Sequence, residues 1–325
     1  MENTRDITKE CTQRNSAGTN KRIQILMSTY NGEKYLREQL DSFVNLDNFE
    51  EVKVLIRDDG STDSTLEILD EYRLKYGFEI IKGINIGLNK SMMNLFKECD
   101  MECDYFAYSD QDDVWLSDKL ILASNMLDKM PKEKPLLFSS CSEVVDQNLK
   151  FISNTDYPSR GTDFYNAMIQ NIARGHTQVF NLEMVKEIRN KQFNIEEIYY
   201  IDWWIYLIAT GIGKIIFSYE PTVKYRQHEE NILGYKSNPI SDLRKKITLV
   251  LRDECRAMAN QLREFRNTYR NVLPHEFIDE LNSYYDNQSS IIKRVKYVIN
   301  TNVYRQSFLQ TLAFKVLYVI GKYNN

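Results

Sequence analysis

Along the first third of the chain a short apolar run, a polar loop and a segment of helical period recur in the same order. Arg22-Ile-Gln-Ile-Leu-Met27 reads as a strand and passes through Ser28-Thr-Tyr-Asn-Gly-Glu33 into a helix-period stretch over 35–43. Residues 52–56 run through Arg57-Asp-Asp-Gly-Ser-Thr-Asp63 into a helix reaching residue 75, with Ser61 or Thr62 available as its cap. A third strand over 78–82 leads through 83–87 to a helix at 91–99, and a fourth over 105–108 ends in Ser109-Asp-Gln-Asp-Asp-Val-Trp115. Strands alternating with helices of ten or more residues predict right-handed βαβ units and a mostly parallel sheet. In such a sheet ligands lie beyond the carboxyl ends of the strands, so the loops at 28–33, 58–63, 85–90 and 110–113 should converge on one crevice.

The pattern then predicts a helix over 118–130, a break at Pro131 and Pro135, and a strand over 136–140. Residues 151–175 read as a loop-rich connection, followed by a strand at 177–180 and a helix at 182–189. Tyr199-Tyr-Ile-Asp-Trp-Trp-Ile-Tyr206 opens a further helix ending at Gly211 or Gly213, and strands at 214–217 and 222–225 precede Arg226-Gln-His-Glu-Glu-Asn231. From Pro239 onward the chain reads as helical, with Met258, Leu262, Phe265 and Tyr269 on one face. Three regions result: a disordered polar lead over 1–20, an α/β domain over 21–236, and a helical, basic region over 237–325.

Composition agrees with a folded protein of 325 residues, 42% hydrophobic and 27% charged, large enough for one big domain with an appendage or two ordinary ones. The net charge of −4 is unevenly spread: residues 237–325 hold 14 Lys and Arg against 8 Asp and Glu, a tail of +6 behind a body of −10. Such a tail suits an anionic surface, and it suits equally a helical pack against the body or a second copy in a homodimer. The five cysteines suggest neither a disulfide framework nor a zinc site. No apolar leader opens the chain and no run of 18 apolar residues occurs, so a cytoplasmic location, peripheral on the inner face of the membrane where the tail makes contact, is expected.

Three carboxylates in four positions, Asp110, Asp112 and Asp113, repel one another unless a cation neutralises them, and an oxygen-only donor set points to Mg²⁺ or Mn²⁺. The same residues also suit an Asp-rich turn capping the helix near Asp118. There is no Gly-x-Gly-x-x-Gly and no Walker lysine loop, which weakens dinucleotide, P-loop and nucleotidyltransferase readings.

Taken together and in order, Met27-Ser-Thr-Tyr-Asn-Gly-Glu33, Arg57-Asp-Asp-Gly-Ser-Thr-Asp63, Asn85-Ile-Gly87 and Ser109-Asp-Gln-Asp-Asp-Val-Trp115 resemble the inverting glycosyltransferases of family 2, most of all the bacterial rhamnosyltransferase branch, over residues 22–235. The resemblance implies a GT-A fold, a Rossmann-like, mostly parallel sheet flanked by helices, here with an α-helical C-terminal extension. It implies a nucleotide-sugar donor, dTDP-L-rhamnose by branch, and a lipid-linked cell-wall or capsular saccharide as acceptor, with no nucleic-acid partner. Another hexose donor, galactose, glucose or N-acetylglucosamine, would look alike in these loops, and a non-catalytic nucleotide-sugar-binding subunit is a rival reading. By similarity Asp110 and Asp112 hold the metal, with His228 returning to it; Ser28, Tyr30, Glu33, Asp58, Asp59, Lys90, Asp110, Gln111 and Arg226 face the donor; and Asp202 is the base that takes the acceptor proton. The branch often carries His before that Asp, where this chain has Ile201. His176, Trp203 and Trp204 fall to the acceptor side. Against these stand plainer roles: Tyr30 as a core aromatic, Asp59 as a turn residue, Asp202 as a helix N-terminal carboxylate, and the tryptophans as core.

Overall fold

The computed structural model describes residues 21–227 and 254–324. The expected lead over 1–20, His228 and the boundary at residue 236 lie outside the described residues.

The first strand, β1 (Ile23–Thr29), is buried at six of its seven positions because it runs through the centre of the sheet with both faces covered. It leads through α1 (Leu36–Val44) to β2 (Val52–Asp58), then α2 (Thr65–Tyr76), β3 (Glu79–Lys82), α3 (Leu88–Glu98) and β4 (Tyr105–Ser109). β2 and β4 flank β1 in parallel and β3 extends the edge, so the predicted βαβ repeat is realised. Gly77, at φ 75, ends α2 in the left-handed conformation that closes many helices.

Beyond β4 the chain forms β5 (Val114–Trp115), α4 (Lys119–Leu127), β6 (Leu136–Ser140), β7 (Glu143–Val145), β8 (Phe151–Asn154), α5 (Phe164–Ala167), β9 (Val179–Asn181) and α6 (Leu182–Asn190). Then come α7 (Ile201–Gly211), β10 (Lys214–Ser218) and β11 (Val223–Arg226). The large sheet has the order β10-β6-β9-β4-β1-β2-β3, with β9 antiparallel to both its neighbours. A smaller sheet, β5-β11-β7-β8, caps the end of β4; of its strands only β11 matches an expected one, that over 222–225. The other three are two to four residues long, too short for a period of two to register.

Alternation along β1 splits the core between the two faces of the sheet. Ile23, Ile25 and Met27 pack with Leu36, Leu40 and Phe43 of α1, whereas Leu26 joins Phe96, Phe106 and Trp204 on the other side. That second core continues into α8 (Glu254–Tyr269), α9 (His275–Asp286), α10 (Ile291–Asn300) and α11 (Phe308–Val319). Met258, Leu262, Phe265 and Tyr269 are buried as their spacing predicts, and Phe265 meets the Trp204 indole edge-on at 5.3 Å.

Candidate active site

The loops after β1, β2 and β4 are knitted at the carboxyl ends of their strands. Tyr30 N–H donates to Gln111 Oε1 at 2.9 Å, and Gln111 Nε2 returns a bond to the Tyr30 carbonyl at 3.1 Å. A side chain at Gly32 would collide with that amide, its Cβ falling 2.6 Å from Gln111 Oε1. Asn31 bridges to Ser61 and Thr62, so the first two loops move as one. Tyr30 is 46% exposed at the mouth of the crevice, which rules out the core role.

The second loop is built from buried carboxylates. Asp58 accepts from Gly60 N, Ser61 N and Thr29 Oγ1, while Asp59 pairs with the buried Arg57 and accepts from Ile86 N and Gly87 N at 3.0 and 2.9 Å. Both are almost wholly inaccessible, and they set the positions of the loops at 58–63 and 85–90. Ser28 shares a 2.6 Å bond with Ser91 on α3, and Glu33 accepts from Ser64 N at 2.9 Å beside the start of α2. Lys90 pairs with Glu196 across a cavity of about 280 Å³ that Asn89, Tyr199 and Tyr200 also line.

At the end of β4 the structure brings together Asp110, Asp113 and His176, whose ligand atoms lie within 4.8 Å of one another. His176 Nδ1 is 3.6 Å from Asp113 Oδ2 and 3.8 Å from Asp110 Oδ2. Its Nε2 meets Ser142 Oγ at 3.0 Å and its ring stacks on Tyr225 at 4.6 Å. Burial, then the nearby Arg174 and Lys119 charges, hold the imidazole well below its usual pKa, so it is neutral and able to ligate. Burial, then the Asp112 charge, push Asp110 and Asp113 above the carboxylate range, and Asp113 Oδ2 is buried with no hydrogen-bond partner among the described residues. The buried Lys119 donates to the His176 carbonyl at 2.5 Å and sits 3.4 Å over the Trp115 ring.

Two expectations change here. Asp112 is not in the close set, although its charge acts on it; Asp113 takes its place, buried beneath β11, where Arg226 N–H donates to Asp113 Oδ1 at 3.1 Å. Arg226 itself, expected at the donor, is 1% exposed: it bonds Glu38 and the carbonyls of Asp112 and Gln147 and stacks on Tyr35. It supports the acidic loop from below.

Asp202 stands at the start of α7 facing the same crevice, close enough that its charge acts on Asp110. Its Oδ2 accepts from Asn171 Nδ2 at 2.9 Å and Gly175 N at 3.0 Å, and its Oδ1 from Trp203 N at 2.7 Å. Burial raises its pKa to about 6 even though these three bonds pull the other way. Asn89 ties the site to α3, donating to the Ile198 carbonyl and accepting from Ile201 N. Trp203 and Trp204, assigned to the acceptor, prove to be core: Trp203 Nε1 donates to the Ala167 carbonyl at 2.6 Å and Trp204 is fully buried against Phe193, Phe265 and Tyr269. His176, likewise assigned there, is 3% exposed and belongs with the carboxylates. Asn171, Gly175 and Lys119 carry no pattern in the sequence that marks them; Gly175 alone adjoins a residue, His176, that the resemblance picks out.

A mostly parallel sheet with an acidic cluster and a separate buried carboxylate beyond its carboxyl edge has the layout of an α/β enzyme. The family model described as Glycosyl transferase family 2 matches residues 24–188, and the chain belongs to that family; it is a glycosyltransferase. It is 31% identical to the dTDP-rhamnosyl transferase RfbG of Shigella flexneri over 218 residues, 64% of this chain and 73% of that one. Two solved structures show the same GT-A fold: S. aureus TarS 1-349 in complex with UDP-GlcNAc and the mannosyltransferase PcManGT from Pyrobaculum calidifontis in complex with GDP-Man and Mn²⁺. Each has a TM-score of 0.53 over 93% of this chain, covering 89% and 85% of those chains at 15% and 12% identity.

Proposed function

We propose that this enzyme transfers L-rhamnose from dTDP-L-rhamnose, with inversion, to a lipid-linked saccharide on the cytoplasmic side of the membrane. The observation that carries the mechanism is Asp202, a carboxylate with a pKa of about 6 held by three donors in the crevice that also contains Asp110. A base in that range is ionised at neutral pH yet basic enough to accept the proton of an attacking hydroxyl. The RfbG relative supports the rhamnosyl donor.

A divalent cation, Mg²⁺ or Mn²⁺, fits the acidic cluster. The orphaned Asp113 Oδ2, the clustered carboxylates and the neutral His176 form a donor set suited to such an ion. Asp110, Asp113 and His176 would hold the ion, with Asp112 alongside, and when bound it supplies charge that offsets the departing diphosphate. Tyr30 and Gln111 line the donor mouth; Asp58, Asp59 and Arg226 hold the loops that shape it. Tyr199 and Tyr200, which line the cavity beside Lys90, take the sugar-facing role that the buried tryptophans do not fill. Every residue assigned to the chemistry falls within 21–227, and the helices from Glu254 to Val319 pack behind them.

TarS with UDP-GlcNAc and PcManGT with GDP-Man favour a second reading, another hexosyl donor, since this fold accommodates several. Incubating the protein with a panel of nucleotide sugars, Mg²⁺ or Mn²⁺ and a lipid-linked acceptor, and following nucleoside diphosphate release, tests both. Release from dTDP-L-rhamnose above the other donors is the expected result. Release from a different donor replaces the rhamnosyl assignment.

A further inference from the structure

Among the described residues, no helix is long and apolar enough to cross a membrane. The last two helices nevertheless expose far more apolar surface than a solvated helix pair needs. Ile292, Val295 and Ile299 on α10 and Leu309, Leu312 and Val316 on α11 are between 40 and 79% exposed, at spacings that put each set along one helical face. The opposite faces are accounted for. Tyr297 of α10 and Tyr318 of α11 both pack on Tyr284 of α9, with ring centroids 5.8 and 5.2 Å away, and on each other at 4.5 Å. Arg294 near the start of α10 donates to the Val319 carbonyl at the end of α11, so the two helices run antiparallel as a hairpin. Both apolar rows therefore point away from the body.

Charge selects the occupant. From residue 287 to residue 324 the chain holds not one Asp or Glu, and Lys293, Lys296, Lys315 and Lys322 lie at its surface, while Arg305 is turned inward onto the Ile169 carbonyl and Arg294 ties the two helices together. A second copy meeting this face in a two-fold contact would set like charges against each other. An anionic bilayer surface complements both the apolar rows and the cations around them. We propose that the α10–α11 hairpin is a monotopic membrane-docking element that seats on anionic phospholipid. A lipid-linked acceptor would give this docking its use, but the docking itself does not depend on which sugar is transferred.

Flotation of the full chain with vesicles of phosphatidylcholine, alone or containing phosphatidylglycerol, tests it. The protein is expected to float with the phosphatidylglycerol vesicles and not with phosphatidylcholine alone, and less at high salt. Leu312→Glu/Val316→Glu should lower the bound fraction at least tenfold, and Lys293→Glu/Lys296→Glu should lower it severalfold. Both variants lie on the solvent side, so circular dichroism and nucleoside diphosphate release in detergent should match the parent. No flotation, or flotation unchanged by either variant, overturns the proposal. So does a sedimentation-equilibrium dimer that Leu312→Glu/Val316→Glu dissolves, which would assign the face to a second copy. Flotation as described from a protein that releases no diphosphate with any donor would leave the docking standing and remove the enzymatic reading alone.

Discussion

Asp202 shows how one side chain is given a task by its surroundings. A helix N-terminal carboxylate in water would be favoured as an anion and would be a weak base. Here burial outweighs the three hydrogen bonds and the pKa settles at about 6. Only the deprotonated form can accept the acceptor's proton, so kcat/KM should fall on the acid side with a midpoint near pH 6, about tenfold per pH unit below it. Asp202→Asn should reduce turnover by roughly 10² to 10⁴ and abolish that limb while donor affinity stays. A limb that persists in the variant belongs to another group. The acidic cluster makes a separate prediction at the same scale. Millimolar Mn²⁺ or Mg²⁺ should raise the melting temperature of the parent by a few degrees, as a ligand bound well above its Kd does. Asp113→Asn or His176→Gln should remove that shift in differential scanning calorimetry. A shift of full size in both variants would place the ion elsewhere.

Between elements, the site depends on how closely the short turn at 175–177 lies against β4. A Cβ at Gly175 would fall 2.7 Å from the Tyr108 ring, and the Gly175 N–H is one of the three donors to Asp202. Gly175→Ala must push either the ring or the turn aside, at about 1–3 kcal/mol. We expect a lower melting temperature and a tenfold or larger loss of kcat with donor KM little changed; a variant with parental kcat would show that the turn tolerates the shift. This coupling also marks where the sequence stops being legible. The strand, loop and helix repeat through β4 reads clearly because its strands are continuous apolar runs, and the four loops converge as predicted. The approach of Asp113 to His176 does not read, because it spans more than sixty positions and depends on the short antiparallel β9 entering between β4 and β6. Apart from β11, the strands of the small sheet and the burial of Asp113 beneath it have no periodic signal for the same reason. The acceptor expectation for Trp203 and Trp204 fails against a signal the sequence does carry: apart from Asp202 and Thr210, α7 is apolar around its circumference, the mark of a helix buried all round rather than one presenting aromatic faces to a ligand.

At the scale of the molecule, the helical C-terminal region is joined to the catalytic sheet by a common core. Leu262, Phe265 and Tyr269 are fully buried, and Trp204 on the helix that carries Asp202 lies against Phe265 and Tyr269. Gln261 Oε1 also accepts from the backbone N–H groups of Tyr199 and Tyr200, immediately before that helix. Removing one such aromatic from a core costs about 3–5 kcal/mol, and losing all of α8 removes several at once against a total stability of about 5–15 kcal/mol. A chain ended at residue 236 should therefore lose cooperative thermal unfolding and near-ultraviolet circular dichroism, and bind a hydrophobic dye, even though it retains every residue assigned to the chemistry. The milder Phe265→Ala should fold with a melting temperature lowered by several degrees and reduced kcat, because its cavity opens directly behind the Asp202 helix. If the shortened chain unfolds cooperatively near the parental temperature and still turns over, the helices are an accessory and the base is positioned by the α/β sheet alone. The expected outcome instead makes the C-terminal helices a structural condition for catalysis, which is why their proposed contact with lipid is tested with surface substitutions in the intact chain.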